Sequence, residues 1–386
     1  MYNSLYYLKK SFAIYPGRTE PVSAKFLADY YRTRQTSRGP LRACVDWLVG
    51  SAFLSWVPGR ARQVARRFGF DDAWARKATT IARERFADPN DIALFRIQSP
   101  DQLDDFMRRF ESAAISKRIN PANWRPDCVL ADKLAFERRC AEHNIPHPPL
   151  LATVSDGRVT VRQQPQTSEI VMKPAAGEGG SGVRVVEIPE SDRGDFAGFL
   201  AREAKGLKGT WLVQPRMFNH PDMADIAINA LATVRMTTMF NEQGEPEVVT
   251  SVLRFASRED LRVDNIKAGG LMAPVDAETG VLGPACRGRG IEEYDRHPAS
   301  GATIAGRTLP NWPEAVALAK RAHLEAFPEY TLVGWDVVLS GDGPLILEGN
   351  GKPCMIIAQR APRRGVGATR FGELIRYHLA KASADR

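Results

Sequence analysis

The chain has 386 residues, 44% of them hydrophobic and 25% charged, which supplies a core for two to three domains and excludes a fully disordered chain. Its formal charge of +8, from 53 Lys and Arg against 45 Asp and Glu, invites a nucleic-acid or anionic-membrane role. The excess is local, however: residues 1–120 carry +9 and the remainder carries −1.

The N-terminus, MYNSLYYLKK, lacks the basic, apolar, small-residue order of a secretion signal. The most apolar window, Cys44–Val57, contains Asp46 and is shorter than the roughly 20 residues a bilayer span needs. Five cysteines, widely spaced and without CxxC, fit a reducing compartment, so a cytoplasmic location is expected. Helices are predicted over Ser23–Arg34, Asp71–Phe86 and Pro100–Ile119, the last from Leu103, Phe106, Met107 and Phe110 at helical spacing. The two prolines of Asn120–Pro126 predict a linker, dividing a basic helical N-terminal domain (1–120) from residues 121–386. Beyond it, a helix over Asp132–His143 precedes the Pro-rich run Ile145–Pro149. Strands are then predicted at Val159–Arg162, Ser168–Lys173, Val183–Ile188, Trp211–Gln214, Leu231–Phe240, Glu247–Arg254, Val333–Leu339 and Leu345–Glu348. Helices fall near Asp192–Lys205 and Pro313–Ala326. Strands joined by tight turns argue for an α+β fold with antiparallel sheets over a doubly wound parallel one.

Two stretches carry chemistry. In Ile170–Ile188 a strand ends in Lys173, a loop with Gly177, Gly179, Gly180, Ser181 and Gly182 follows, and a second β-type run begins at once. Glycines let backbone N–H groups approach a phosphate, with Lys173 as the adjacent cation. No Gly-Lys-Ser/Thr closes the loop and no helix follows, so neither a Walker loop nor a dinucleotide fingerprint is present; an ordinary glycine-rich turn is the alternative. The second stretch is a hairpin, Val333–Leu339 and Leu345–Glu348 around Gly341-Asp342-Gly343. With a three-residue loop, Ser340 pairs with Pro344, which sets Asp336 opposite Glu348 with Asn350 further along the same face. Facing carboxylates repel unless a cation lies between them, and two carboxylates with an amide oxygen suit Mg²⁺; a solvated edge face is the alternative. Lys133, Arg235, Arg254 and the loop with Asn265 and Lys267 are weak signals singly.

Taken in order, residues from about Leu130 to Phe371 resemble the ATP-grasp fold, and more narrowly its sugar-transfer-associated branch. Asp132-Lys133 resembles the family's first phosphate-contacting lysine, and Lys173-Pro174 with Gly177–Gly182 its second lysine and flexible loop. Leu212-Val213-Gln214-Pro215 occupies the hinge whose backbone reads adenine, although Gln214 stands where a glutamate is frequent; His220 or Asp222 would serve the ribose. Thr233-Val234-Arg235 resembles the strand arginine at the transferring phosphoryl group, and Asp264-Asn265 through Gly269-Gly270 the loop near it. Asp336 with Glu348-Gly349-Asn350 matches the family's metal set, the most specific element. The resemblance implies two α+β lobes clasping ATP, about 121–213 and 214–386, after the helical N-terminal segment.

It also implies an ADP-forming ligase joining a carboxylate to an amine through an acyl-phosphate, with ATP and Mg²⁺, in making a cell-surface polysaccharide or peptide-like metabolite. In that role Lys133 and Lys173 hold phosphates, Mg²⁺ sits on Asp336, Glu348 and Asn350, and Arg235, Arg254, Asn265 and Lys267 serve the reacting groups. A phosphotransferase stopping at a phosphorylated product is the alternative within the enzyme class. A non-catalytic nucleotide or polyanion-binding module is the alternative outside it. No Gly-x-Ser-x-Gly elbow and no protein-kinase signature is present. Without a nucleic-acid-binding motif, the N-terminal charge reads as a solvated basic face, or as a dock for an acidic partner or membrane surface.

Overall fold

The computed structural model describes residues 24–36, 39–177, 182–260 and 269–384. Helices α1 (Ala28–Thr36), α2 (Pro40–Phe68), α3 (Asp72–Arg85), α4 (Pro89–Leu94) and α5 (Arg109–Ile119) form the N-terminal part. Sequence reasoning placed no helix over α2, which carries Pro58 in its interior. Yet Val49, Phe53, Val57, Ala61 and Val64 form one buried stripe, and packing carries the helix through the proline. The helix starts with Pro40 in its first turn and stops at Gly69, whose φ of 72° is left-handed.

The expected helix over Pro100–Ile119 is instead two pieces, a 3-10 segment Pro100–Asp105 and α5. Arg108 between them is extended, which lets its guanidinium reach the fully buried Glu111 (Nε to Oε1 2.9 Å) and the carbonyl of Phe86 (2.9 Å). Segment 120–126 is also no free linker. Asn120 is fully buried; its Nδ2 donates to the carbonyls of Leu332 (2.8 Å) and Gly351 (3.0 Å), and its Oδ1 accepts from Thr331 N (2.9 Å).

Helix α6 (Lys133–Glu142) is capped by Asp132, whose carboxylate accepts from Leu134 N and Ala135 N. The following strands are β1 (Ala152–Ser155), β2 (Arg158–Val161), β3 (Glu169–Pro174), β4 (Arg184–Glu187) and β5 (Thr210–Pro215). They pair in the order β2-β1-β5-β3-β4. Helix α7 (Phe196–Glu203), entered through a 3-10 segment Glu190–Asp195, buries Phe196, Phe199 and Leu200 in the core of this sheet. A short α8 (Ala224–Ala227) leads to β6 (Thr233–Phe240), β7 (Pro246–Phe255), β8 (Leu271–Pro274), β9 (Ala285–Arg287) and β10 (Glu293–Tyr294). Helix α9 (Trp312–Arg321), extended by a π-turn to Ala326, precedes β11 (Leu332–Ser340) and β12 (Gly343–Asn350). The second sheet runs β10-β9-β8-β7-β6-β11-β12. All of these described pairings are antiparallel, as an α+β fold requires. β1, β8, β9 and β10 were not read from the sequence; β9 and β10, of three and two residues, are too short to show a period.

The chain closes with α10 (Met355–Arg360) and α11 (Arg370–Ala384). Met355, Phe371, Leu374 and Ile375 share one apolar core with Phe53, Ile81 and Phe106 of the N-terminal helices and with Met239 and Leu332 of the large sheet. The basic front segment is therefore packed against the rest of the fold. No described helix is long and apolar enough to cross a membrane.

Candidate active site

The hairpin β11–β12 builds the acidic half of the site. Asp336 faces Glu348 and Gly334 faces Asn350, the pairing expected. The route to that register differs: Ser340 pairs with Gly343, not Pro344, so the turn is one residue tighter. A bulge between Asp336 and Val337 leaves Leu347 unpaired and restores the offset. Across the other edge of β11, Asp336 pairs with Arg235, and the row of β6 and β7 brings Thr233 opposite Arg254.

Both arginines close on the same carboxylate. Arg235 Nε and Nη2 donate to Asp336 Oδ1 (2.5 Å) and Oδ2 (3.1 Å), and Arg254 Nη2 lies 3.1 Å from Oδ2. Arg254 is steadied by Thr233 Oγ1, which accepts from its Nη2 at 2.6 Å; sequence reasoning had not marked this threonine. Asp336 is buried, which opposes ionisation, but the two guanidinia outweigh burial and hold its carboxyl well below the usual range. Glu348 behaves oppositely. Burial pushes its carboxyl up and Asp336 pushes it further, against Lys133, Arg235 and Lys173. Asn350 Nδ2 donates to the Gly334 carbonyl (3.4 Å) and approaches Glu348 Oε1 (3.5 Å), which turns its Oδ1 the other way.

The cations come from the smaller sheet and from α6. Lys173, near the end of β3, is 7% exposed, and burial lowers its ammonium to about 8, with Glu348 opposing and Lys133 assisting the shift. Lys133 opens α6; its N–H bonds the Ala175 carbonyl (3.1 Å) and its Nζ the Gly177 carbonyl (2.5 Å). Gly177 and Gly182 have φ of 119° and 80°, so glycine is required at both ends of the loop. Gly179, Gly180, Ser181, Asn265 and Lys267 lie outside the described residues.

Gln214 is buried in β5, opposite Val171, and its Nε2 donates to the Pro148 carbonyl at 2.8 Å. His220 and Asp222 stand apart from the acidic set. His220 caps, and Asp222 lies within, a 3-10 turn (Pro221–Met223) tied to the end of β11 by the His220 N–H to the Leu339 carbonyl (2.7 Å). His220 Nδ1 accepts from Asp222 N at 3.2 Å, and the Asp222 carboxylate is exposed.

Two carboxylates and an amide are hard oxygen donors, and Glu348 beside Asp336 is a pair that a cation would relieve, so these residues fit Mg²⁺. Among the described residues no group of three or more His, Cys, Asp and Glu could hold a metal ion.

Two lobes of antiparallel sheet, with Lys173 of one and Lys133 of α6 beside an acidic pair of the other, define an ATP-grasp protein. The sequence profile of the sugar-transfer associated ATP-grasp family matches residues 111–370, and the chain belongs to that family. Solved structures with a similar fold include D-alanyl-alanine synthetase A from Vibrio cholerae, at 13% identity and TM-score 0.41, matched over 67% of this chain and 66% of that one. D-cycloserine synthetase is 17% identical (TM-score 0.34, 67% and 70% coverage). Biotin carboxylase from Campylobacter jejuni is 12% identical (TM-score 0.39, 66% and 46%). The chain thus spans just under two thirds of the first of these proteins. No curated protein sequence matches it.

Proposed function

We propose that the protein is an ADP-forming ligase that joins a carboxylate to an amine through an acyl-phosphate, using ATP and Mg²⁺. The observation that carries this reading is the convergence of Lys133 and Lys173 on Glu348, beside Asp336 with its two arginines. Lys133 and Lys173 hold the α- and β-phosphates, and the backbone at Gln214 reads adenine. His220 and Asp222 are assigned to the ribose. Asp336, Glu348 and Asn350 would hold Mg²⁺, which when bound neutralises phosphate charge.

A substrate carboxylate oxygen attacks the γ-phosphorus, the bond to the bridging oxygen breaks, and ADP leaves. The amine nitrogen then attacks the acyl carbon, phosphate departs, and the amine's proton passes to solvent. Arg235 and Arg254 stabilise the charge that develops at the phosphoryl group and in the tetrahedral intermediate, with Asn265 and Lys267 assigned to the same centre. Positioning and electrostatics do the work, so no protein nucleophile is needed. Gly177–Gly182 closes over the nucleotide and keeps water from the acyl-phosphate.

The lobes span about 121–213 and 214–386, with 1–120 as a basic helical domain. We place the enzyme in the cytoplasm, in the assembly of a cell-surface polysaccharide or peptide-like metabolite. An acidic partner or a membrane surface would meet the basic N-terminal segment. The test is an ADP-release screen of amino acids and sugar acids against an amine panel, with mass detection. ADP with an amide supports the ligase. ADP with a stable phospho-product identifies a phosphotransferase, and no binding of an ATP analogue refutes both.

A further inference from the structure

We propose that a cavity at the seam between the N-terminal helices and the α10–α11 connection binds a small molecule bearing an oxyanion, carboxylate or phosphate. The cavity measures about 210 Å³ and is walled by Phe95, Gln102, Asp105 and Phe106 on one side and by Arg363 and Arg364 on the other. Arg363 has a side chain only 9% exposed; its Nη1 pairs with Glu293, its Nη2 donates to the Ile291 carbonyl (2.8 Å), and its Nε has no hydrogen-bond partner. Arg360, three residues earlier, is 1% exposed; its Nη2 donates to the carbonyls of Arg287 (3.2 Å) and Gly290, while its Nε and Nη1 have no hydrogen-bond partner. Arg96 joins them from the end of the N-terminal helices, with Nη2 on the Ile291 carbonyl (3.0 Å) and Nη1 on Glu293 (3.1 Å).

Arg363 and Arg364 thus line the cavity, while Arg363, Arg360 and Arg96 meet on the 287–293 segment beside Glu293, and three buried guanidinium nitrogens there, Arg363 Nε on the cavity wall among them, have no hydrogen-bond partner. A buried donor without an acceptor is costly and calls for an explanation. Burial, together with the neighbouring arginines, also lowers the affinity of Arg360 and Arg363 for their protons. Arg96 and Arg363 have left-handed backbones, φ 54° and 50°, a strain that collects at ligand clamps. Guanidinium forks match carboxylate and phosphate oxygens, and the Phe95 and Phe106 rings, 4.8 Å apart, offer an apolar wall for the rest of the ligand.

This site is separate from the proposed ATP site and does not rest on the ligase reading. Glu293 lies on β10, five strand spacings from Asp336 on β11, roughly 24 Å at about 4.8 Å per spacing.

The test is calorimetric titration of the full chain with inorganic phosphate and, separately, succinate. Two variants address the cavity. Arg364→Ala removes an exposed guanidinium. Gln102→Glu keeps an oxygen for the amides of Gln98 and Ser99 that Gln102 now accepts (2.6 and 3.4 Å) while adding a repelling charge. Binding of at least one probe, weakened about tenfold or more in either folded variant and retained in Lys173→Ala, supports the site. A response to phosphate alone or to succinate alone assigns the ligand class. The proposal is overturned if wild type binds neither probe, if both variants bind as wild type does, or if only Lys173→Ala loses binding.

Discussion

Lys173 is held in the fold at a cost that its ligand would repay, which makes Lys173→Met informative. Its ammonium is 7% exposed and drops from 10.5 to about 8, a penalty on the charged form of about 3 kcal/mol at about 1.4 kcal/mol per unit. The folded value lies below the unfolded one, so the destabilisation is complete below about pH 8 and fades as pH rises towards 10.5. Methionine removes the charge but also takes a cation away from Glu348, so the net gain at pH 7 is placed lower, at about 1–2 kcal/mol. Thermal melts from pH 7 to 10 should show the variant a few degrees more stable at pH 7, with the gap closing above pH 8. Calorimetry with a non-hydrolysable ATP analogue should show affinity about 10- to 100-fold weaker, the worth of a charge-assisted phosphate contact. A variant less stable at pH 7, or a gap independent of pH, would refute the burial argument; unchanged affinity would refute the phosphate role.

Asp336→Asn and Glu348→Gln should each abolish ATP turnover, read as ADP release, while circular dichroism shows a folded chain. Burial and Asp336 raise the Glu348 carboxyl above its usual range, so its charged form is disfavoured in the fold and Glu348→Gln should not lower the melting temperature. Gly334→Ala would set a Cβ 2.7 Å from Pro353 Cβ and 3.4 Å from Arg235 Cδ, so it should cost about 1–3 kcal/mol in urea unfolding and loosen the arginine from Asp336. Asn120→Ala strips three buried hydrogen bonds and should cost about 2–4 kcal/mol by the same measurement; a loss below 1 kcal/mol would mean water replaces the amide.

The acidic pair shows how sequence and structure divided the work. Counting outward from a three-residue loop around Gly-Asp-Gly put Asp336 opposite Glu348, and the two do face each other. The reasoning about the turn was off by one residue, and the bulge at Leu347 compensated. Local pattern carries a side-chain period; it does not carry a bulge, whose cause is packing across the sheet.

The arginines were legible as charges in strands, but their aim was not. Arg235 and Arg254 both meet Asp336 because β6 lies between β11 and β7, a strand order set by long-range pairing. The same holds for Asn120, read as part of a linker and found buried against Leu332 and Gly351.

By itself the sequence determined the α+β class, the order along the chain of Lys133, Lys173, Arg235, Asp336, Glu348 and Asn350, and the concentration of positive charge in residues 1–120. These follow from composition and from spacing between near neighbours. The tertiary structure alone decided that the basic segment shares a core with α10 and α11, and that Arg96 meets Arg360 and Arg363 around one loop. Such hydrogen bonds join residues 72 to 195 positions apart, and the free energy that selects them comes from burying surfaces no local pattern can pair.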